Sequence, residues 1–182
     1  MLRNLFILLG LALMPALAAA QAPRSVTIGR GDSIVVHVAP DGTLWAAAPT
    51  AAPPINGFEA SALAQMQATP LADSQVQPAI PVQHGPDAPP IKAGQVRIIL
   101  RTVAPSVDYP KGEMLLSLEN GYDGALRYRA VLRSGDRSMP TDVCIVIPHR
   151  FGFEHWPFPF ERIELSDLQV VPWHAGDSVS CE

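Results

Sequence analysis

An all-β fold is what this sequence predicts: an antiparallel immunoglobulin-like β-sandwich preceded by short N-terminal strands and a Pro/Ala-rich linker. Two observations carry that expectation. Between residues 95 and 182 there are six to eight short runs of β-branched and alternating apolar residues, and Gly, Asn, Asp and Pro interrupt them every ten or so positions. A third observation sets the boundaries, because composition divides the chain into residues 1–20, 21–47, 48–94 and 95–182.

Residues 1–20 have the form of a signal peptide, with Arg3 as a short basic region, an apolar stretch from Leu5 to Leu17, and the small residues Ala18 and Ala20 before a cleavage point. A mature chain starting at Gln21 is expected. Pro15 interrupts the apolar stretch, which is shorter than the roughly 20 residues that span a bilayer, so no membrane span is expected in the mature chain. In residues 21–47, Val26 to Ile28 and Ile34 to Val38 are β-branched runs separated by Gly and Asp, and Pro40, Asp41 and Gly42 follow as a turn. Two or three strands are expected here, able to add edges to the main sandwich. Residues 48–94 carry nine of the nineteen prolines with much Ala and Gln, which predicts a linker; residues 58–67 have helix-forming composition but few apolar residues with which to dock.

The domain at 95–182 opens with VRIILRTV, a strand by composition. MLLSLE sets Met114, Leu116 and Leu118 on one face against Ser117 and Glu119, and ALRYRAVL sets Leu126, Tyr128, Ala130 and Leu132 against Arg127 and Arg129. Between them NGYDG, residues 120–124, suits a hairpin. RSGDRSMPTD, residues 133–142, has the alternating charge of a solvated loop. VCIVI, apolar on both faces, predicts a covered strand, and ERIEL with LQVV predicts one or two more. Pro157 and Pro159 have no amide donors, so WPFPF is expected at an edge, a bulge or a crossover.

The formal charge of −4 becomes −5 once Arg3 is removed, and an acidic chain is a poor candidate for a nucleic-acid partner, which requires a basic patch. The two cysteines, Cys144 and Cys181, lie in the last quarter of a chain expected to be exported, where an oxidising compartment favours a disulfide. Ordinary pairing would stabilise the fold by roughly 4 kcal/mol in the chain-entropy model.

Aromatic residues are concentrated at 151–160. Phe151 and Phe153 share one strand parity, and Trp156, Phe158 and Phe160 share the other; a bend at Glu154 and His155 would turn both sets towards one core. Together with Trp173 these five form the candidate partner-binding surface, through stacking or edge-strand pairing. As a continuous strand the same stretch holds His149 and His155 about 20 Å apart, too far to share a metal unless the chain reverses at Gly152. His37, His84, His149, His155 and His174, with Met114 and Met139, show no clustered metal-ligand spacing, so no metal and no cofactor are expected.

Two short strings resemble known motifs. GDSI, residues 31–34, resembles the nucleophile block of the GDSL-type esterases, a resemblance that implies Ser33 as nucleophile. Those enzymes use an α/β fold and a D-x-x-H motif, whereas here His174 follows Asp167 by seven positions. GRGDS, residues 29–33, resembles the adhesive loop of fibronectin, which implies integrin binding if the string sits at an exposed hairpin tip. The sequence as a whole predicts a periplasmic or secreted, non-catalytic binding or structural accessory protein with a protein partner in the cell envelope. The alternative is a metal-binding protein or small hydrolase with its site around the dispersed histidines.

Overall fold

The computed structural model describes residues 23–68 and 90–182; the expected signal peptide and Gln21 start, His84 and residues 69–89 of the expected linker lie outside the described residues. Among the described residues ten strands and one helix follow in chain order: β1 (Ser25–Gly29), β2 (Asp32–Val38), β3 (Leu44–Ala46), β4 (Thr50–Ala51), α1 (Gly57–Ala68), β5 (Val96–Val103), β6 (Glu113–Asn120), β7 (Ala125–Ser134), β8 (Arg137–Thr141), β9 (Phe151–Trp156) and β10 (Arg162–Val171). They form two antiparallel sheets, a four-stranded one in the order β1-β10-β7-β8 and a six-stranded one in the order β3-β2-β5-β6-β9, with β4 also on β2. The fold is all-β, as expected.

One core fills the space between the sheets. Alternation places Val26 and Ile28 of β1, Leu126, Tyr128 and Leu132 of β7, and Ile163 and Leu165 of β10 against Val36, Ile98, Leu100, Met114, Leu116 and Leu118 of the other sheet. The N-terminal strands are part of this core. β1 and β3 are edge strands, whereas β2 lies inside its sheet between β3 and β5. In β10 a bulge between Ser166 and Gln169, with Asp167 at φ 52°, shifts the parity so that Leu168 joins the core; ERIEL and LQVV are therefore one strand.

Three local expectations are corrected. NGYDG does not close a hairpin, because β6 and β7 belong to different sheets and the segment crosses between them. Asn120 makes that crossing: its side-chain amide donates to the carbonyls of Gly124, Val146 and Ile147 at 2.9, 3.0 and 3.2 Å. A Cβ at Gly121 would stand 2.6 Å from Lys92 O, and one at Gly124 2.6 Å from Val171 O, so the glycines allow two other chain segments to approach. VCIVI is not a continuous strand; Cys144 bridges to Cys181 and Val146 to Leu126, so its apolar residues serve two different neighbours. RSGDRSMPTD is not a loop but a hairpin, in which Ser134 pairs with Arg137 across a two-residue turn and β8 runs exposed along the sheet edge.

Of residues 48–68, assigned to the linker by composition, Thr50–Ala51 form β4 and Gly57–Ala68 form α1. Asn56 caps the helix: its side chain accepts from Glu59 N at 2.9 Å while Glu59 Oε2 accepts from Asn56 N at 3.1 Å, a reciprocal capping box. α1 lies over the outer face of the six-stranded sheet and makes a third layer there.

Candidate partner-binding surface

β9 carries the opening residues of the aromatic stretch and is an edge strand in the sheet order. It runs without reversal through Trp156, pairing with β6 from Phe151↔Glu119 to Trp156↔Met114. Glu154 and His155 therefore do not form the expected bend, and Phe151 and Phe153 face the opposite way from Trp156. Phe151 and Phe153 stack on each other at 5.8 Å on the outer face, each 5.5 Å from Phe58 of α1. Trp156 points inward, with its indole N–H on Thr141 Oγ1 at 2.9 Å and its ring edge-on to Phe160 at 5.3 Å. Both Trp156 and Phe160 are buried in the core, so the exposed surface expected over residues 151–160 does not include them. Phe158, in the crossover from β9 to β10, is exposed, and Trp173 is half-buried beyond β10.

The histidines are distributed among separate partners. His149 Nε2 lies 2.8 Å from Asp123, His155 Nε2 lies 2.8 Å from the buried Glu113, and His174 pairs with Asp177. Met114 is buried in the core, and among the described residues no group of three or more His, Cys, Asp or Glu side chains is placed to hold a metal ion. Ser33 is buried, and the GRGDS string turns the corner from β1 in one sheet to β2 in the other, tied by Gly31 N to Leu100 O. It is neither an open nucleophile site nor a hairpin tip.

A different aromatic group stands out on the outer face of the six-stranded sheet. Trp45 of β3 is 56% exposed, and its register partner His37 of β2 lies beside it with ring centroids 5.4 Å apart. Tyr122, from the β6–β7 crossing, continues the row at 6.2 Å from His37. Polar contacts fix the arrangement: His37 Nδ1 lies 2.6 Å from Gly94 O, and the Tyr122 hydroxyl accepts from Val38 N at 2.7 Å. Burial raises the Tyr122 phenol above its ordinary range, so it stays neutral, and its hydroxyl donates to Val38 O at 3.2 Å. Beyond the strap at 90–94 is a shallow cavity of roughly 290 Å³, lined by Ile91, Glu119, Asn120 and His149 among others. Sequence reasoning did not select Trp45. The signal available was a large aromatic residue in a three-residue strand beside a Pro-Asp-Gly turn, opposite an exposed histidine.

The middle of the same face is polar and covered. Arg101 of β5 donates to both carboxylate oxygens of Glu59 and to the Pro53 carbonyl, and Ser117 of β6 donates to Glu59 Oε1 at 3.1 Å. Arg97 meets Glu119 at 2.9 Å, and Gln67 of α1 donates to Glu113 at 2.5 Å. On the inner side of β9, Glu154 lies between the sheets. Burial, with a smaller repulsion from Asp142, pushes its carboxyl up to about 7 despite hydrogen bonds from Cys144 N and Tyr128.

No protein-family model, no curated protein and no solved structure matches this chain.

Proposed function

We propose that the protein is an exported, non-catalytic binding or structural accessory module of the cell envelope, presenting one face of a β-sandwich of immunoglobulin-like type to a protein partner. The observation that carries this reading is Trp45, more than half exposed and lying beside His37, which with Tyr122 is fixed by main-chain hydrogen bonds. Such a row has the character of an interface hot spot: a large, exposed amphipathic ring beside polar groups that are already fixed in place. The Cys144–Cys181 disulfide and the signal-like residues 1–20 support a periplasmic or secreted location.

Export and disulfide formation come first, and the surface is then tested by capture from native envelope extract with the full processed chain as bait. Trp45→Ser should lower recovery of the wild-type partner by at least tenfold, the loss expected for a hot-spot Trp, while Phe158→Ser retains it. Equal recovery by Trp45→Ser in a folded protein sinks the assignment of this surface.

A further inference from the structure

The open side of β3 follows from the ladder that holds its other side. Ala39 N donates to Thr43 O and Ala47 N to Val35 O, both at 2.9 Å, and between these bonds Trp45 is the register partner of His37. In an antiparallel pair such bonds join every second residue, so the amide and carbonyl of Trp45 face His37. Those of Leu44 and Ala46 point away from β2. Leu44 N is taken by Pro23 O at 2.9 Å, whereas the Ala46 N–H and C=O have no partner among the described residues. The same alternation is visible on β2, where the Val38 amide and carbonyl turn away from β3 and meet the Tyr122 hydroxyl at 2.7 and 3.2 Å.

Further along, the same edge is protected. The register slips by one residue between Ala46↔Val36 and Thr50↔Ser33, which marks a bulge, and Pro49 within it has no amide to offer a pairing strand. Leu44–Ala46 itself carries neither a charge nor a proline. Trp45 stands on the outer face directly beside the unpaired Ala46 groups, 56% exposed.

We propose that the partner docks by adding an extended segment antiparallel to β3, exchanging both main-chain hydrogen bonds with Ala46 and setting an aromatic or β-branched side chain against Trp45. The inference rests on the reading of Trp45 as the partner-binding residue. A partner residue hydrogen-bonded to Ala46 places its chain neighbour opposite Trp45 in a non-hydrogen-bonded pair, the kind in which facing side chains approach most closely. That side chain extends the row of Tyr122, His37 and Trp45 by one member. The main-chain pair fixes the register, and the pocket beside Trp45 selects the side chain. Residues 44–52 contain no charged side chain, so the complementary segment is uncharged at the contact, and it has no proline at the residue that pairs with Ala46. A second copy of this chain is a poor occupant, because a net charge of −4 opposes self-association and β3 offers only three residues to its twin.

The probe is a displayed library of random peptides of roughly ten residues, the length of a long strand, selected on the full processed chain with its disulfide oxidised. Selected peptides should share alternating apolar residues around an aromatic or β-branched position and lack proline there. Ala46→Pro removes only an amide that has no internal partner, and it should weaken the best peptide by about tenfold or more, as should Trp45→Ser, while Ala46→Thr retains binding. Where Ala46→Pro does not fold, N-methylation along the peptide decides the matter, since strand addition loses binding at alternate positions. Binding that survives Ala46→Pro but not Trp45→Ser overturns strand addition and leaves the Trp45 surface standing; binding indifferent to both removes that surface as well. An unenriched library, a proline-rich consensus, or a dimer that dissociates in Ala46→Pro also overturns the proposal, the last by assigning the edge to a second copy.

Discussion

The outer faces of the two sheets use the same residue types under opposite conditions. On the four-stranded sheet, Arg129 faces Asp167 at 3.8 Å and Arg133 meets Glu164 at 2.6 Å, with the first pair more than half exposed and the second about a third exposed. On the six-stranded sheet, Arg101 and Glu59 make a contact of similar chemistry with side chains 9% and 1% exposed, because α1 and the chain before it lie on top. The first set is a solvated face with little net energy in each pair. The second is an interlayer in which each charge depends on its partner, since an unpaired charge there has neither water nor a counter-ion. All eight residues of β6 are buried, including Glu113, Ser117 and Glu119, although the strand alternates in sequence.

The sharpest way to break this contrast is to remove one partner on each side. Arg101→Ala leaves Glu59 buried beneath α1 and should cost about 3–5 kcal/mol in urea unfolding at neutral pH. A cost under about 1 kcal/mol would mean that α1 does not seal the face, and that the two outer faces are energetically alike.

Glu154 tests the space between the sheets. Its carboxyl titrates at about 7 when folded against 4.5 as its ordinary value, so the folded state holds the proton more tightly. Stability should therefore be greatest below about pH 4.5, fall as pH rises through that window, and level off above about pH 7, by as much as about 3 kcal/mol. Glu154→Gln keeps acceptors for Cys144 N and Tyr128 and should remove most of that slope, measured as unfolding midpoints across pH 4 to pH 8. An unchanged slope would assign the pH dependence elsewhere. The smallest effect is expected on the open sheet, where Arg133→Ala should change stability by less than about 1 kcal/mol and less still in high salt.

The contrast also explains what could be seen in the sequence. Strands with one wet face were legible: ALRYRAVL alternates cleanly, and β7 is that strand with its arginines outward. VRIILRTV and MLLSLE were located as strands, yet nothing in their alternation says that the polar face is covered too, because the cover comes from residues 53–68, whose composition suggested a linker. The signal was a capping box, Asn56 with Glu59, directly before the helix; the helix itself has too narrow an apolar stripe to announce its docking. Pro157 and Pro159 ruled out a central strand and left a crossover among three options, the one the chain takes, and strand parity separated Phe151 and Phe153 from Trp156. Which parity faces the core depended on the neighbouring sheet. Trp156 was therefore indistinguishable from a surface aromatic until that sheet was in place.

The β1–β10 pairing joins residues 25–29 to residues 162–166, so the four-stranded sheet cannot close until nearly the whole chain is available. Contacts of such long sequence separation delay folding to the millisecond-to-second range or beyond, since chain closure must precede any reward from packing. A chain emerging residue by residue, from a ribosome or through a narrow translocation channel, would therefore carry β1 unpaired for most of its passage. The edge it exposes in that interval is short, five residues ending at a glycine, and is interrupted on its outward side by Ser25 and Thr27. The topology that makes the folded protein late to assemble also keeps it threadable, and the brevity of β1 limits the opportunity for two waiting chains to pair with each other.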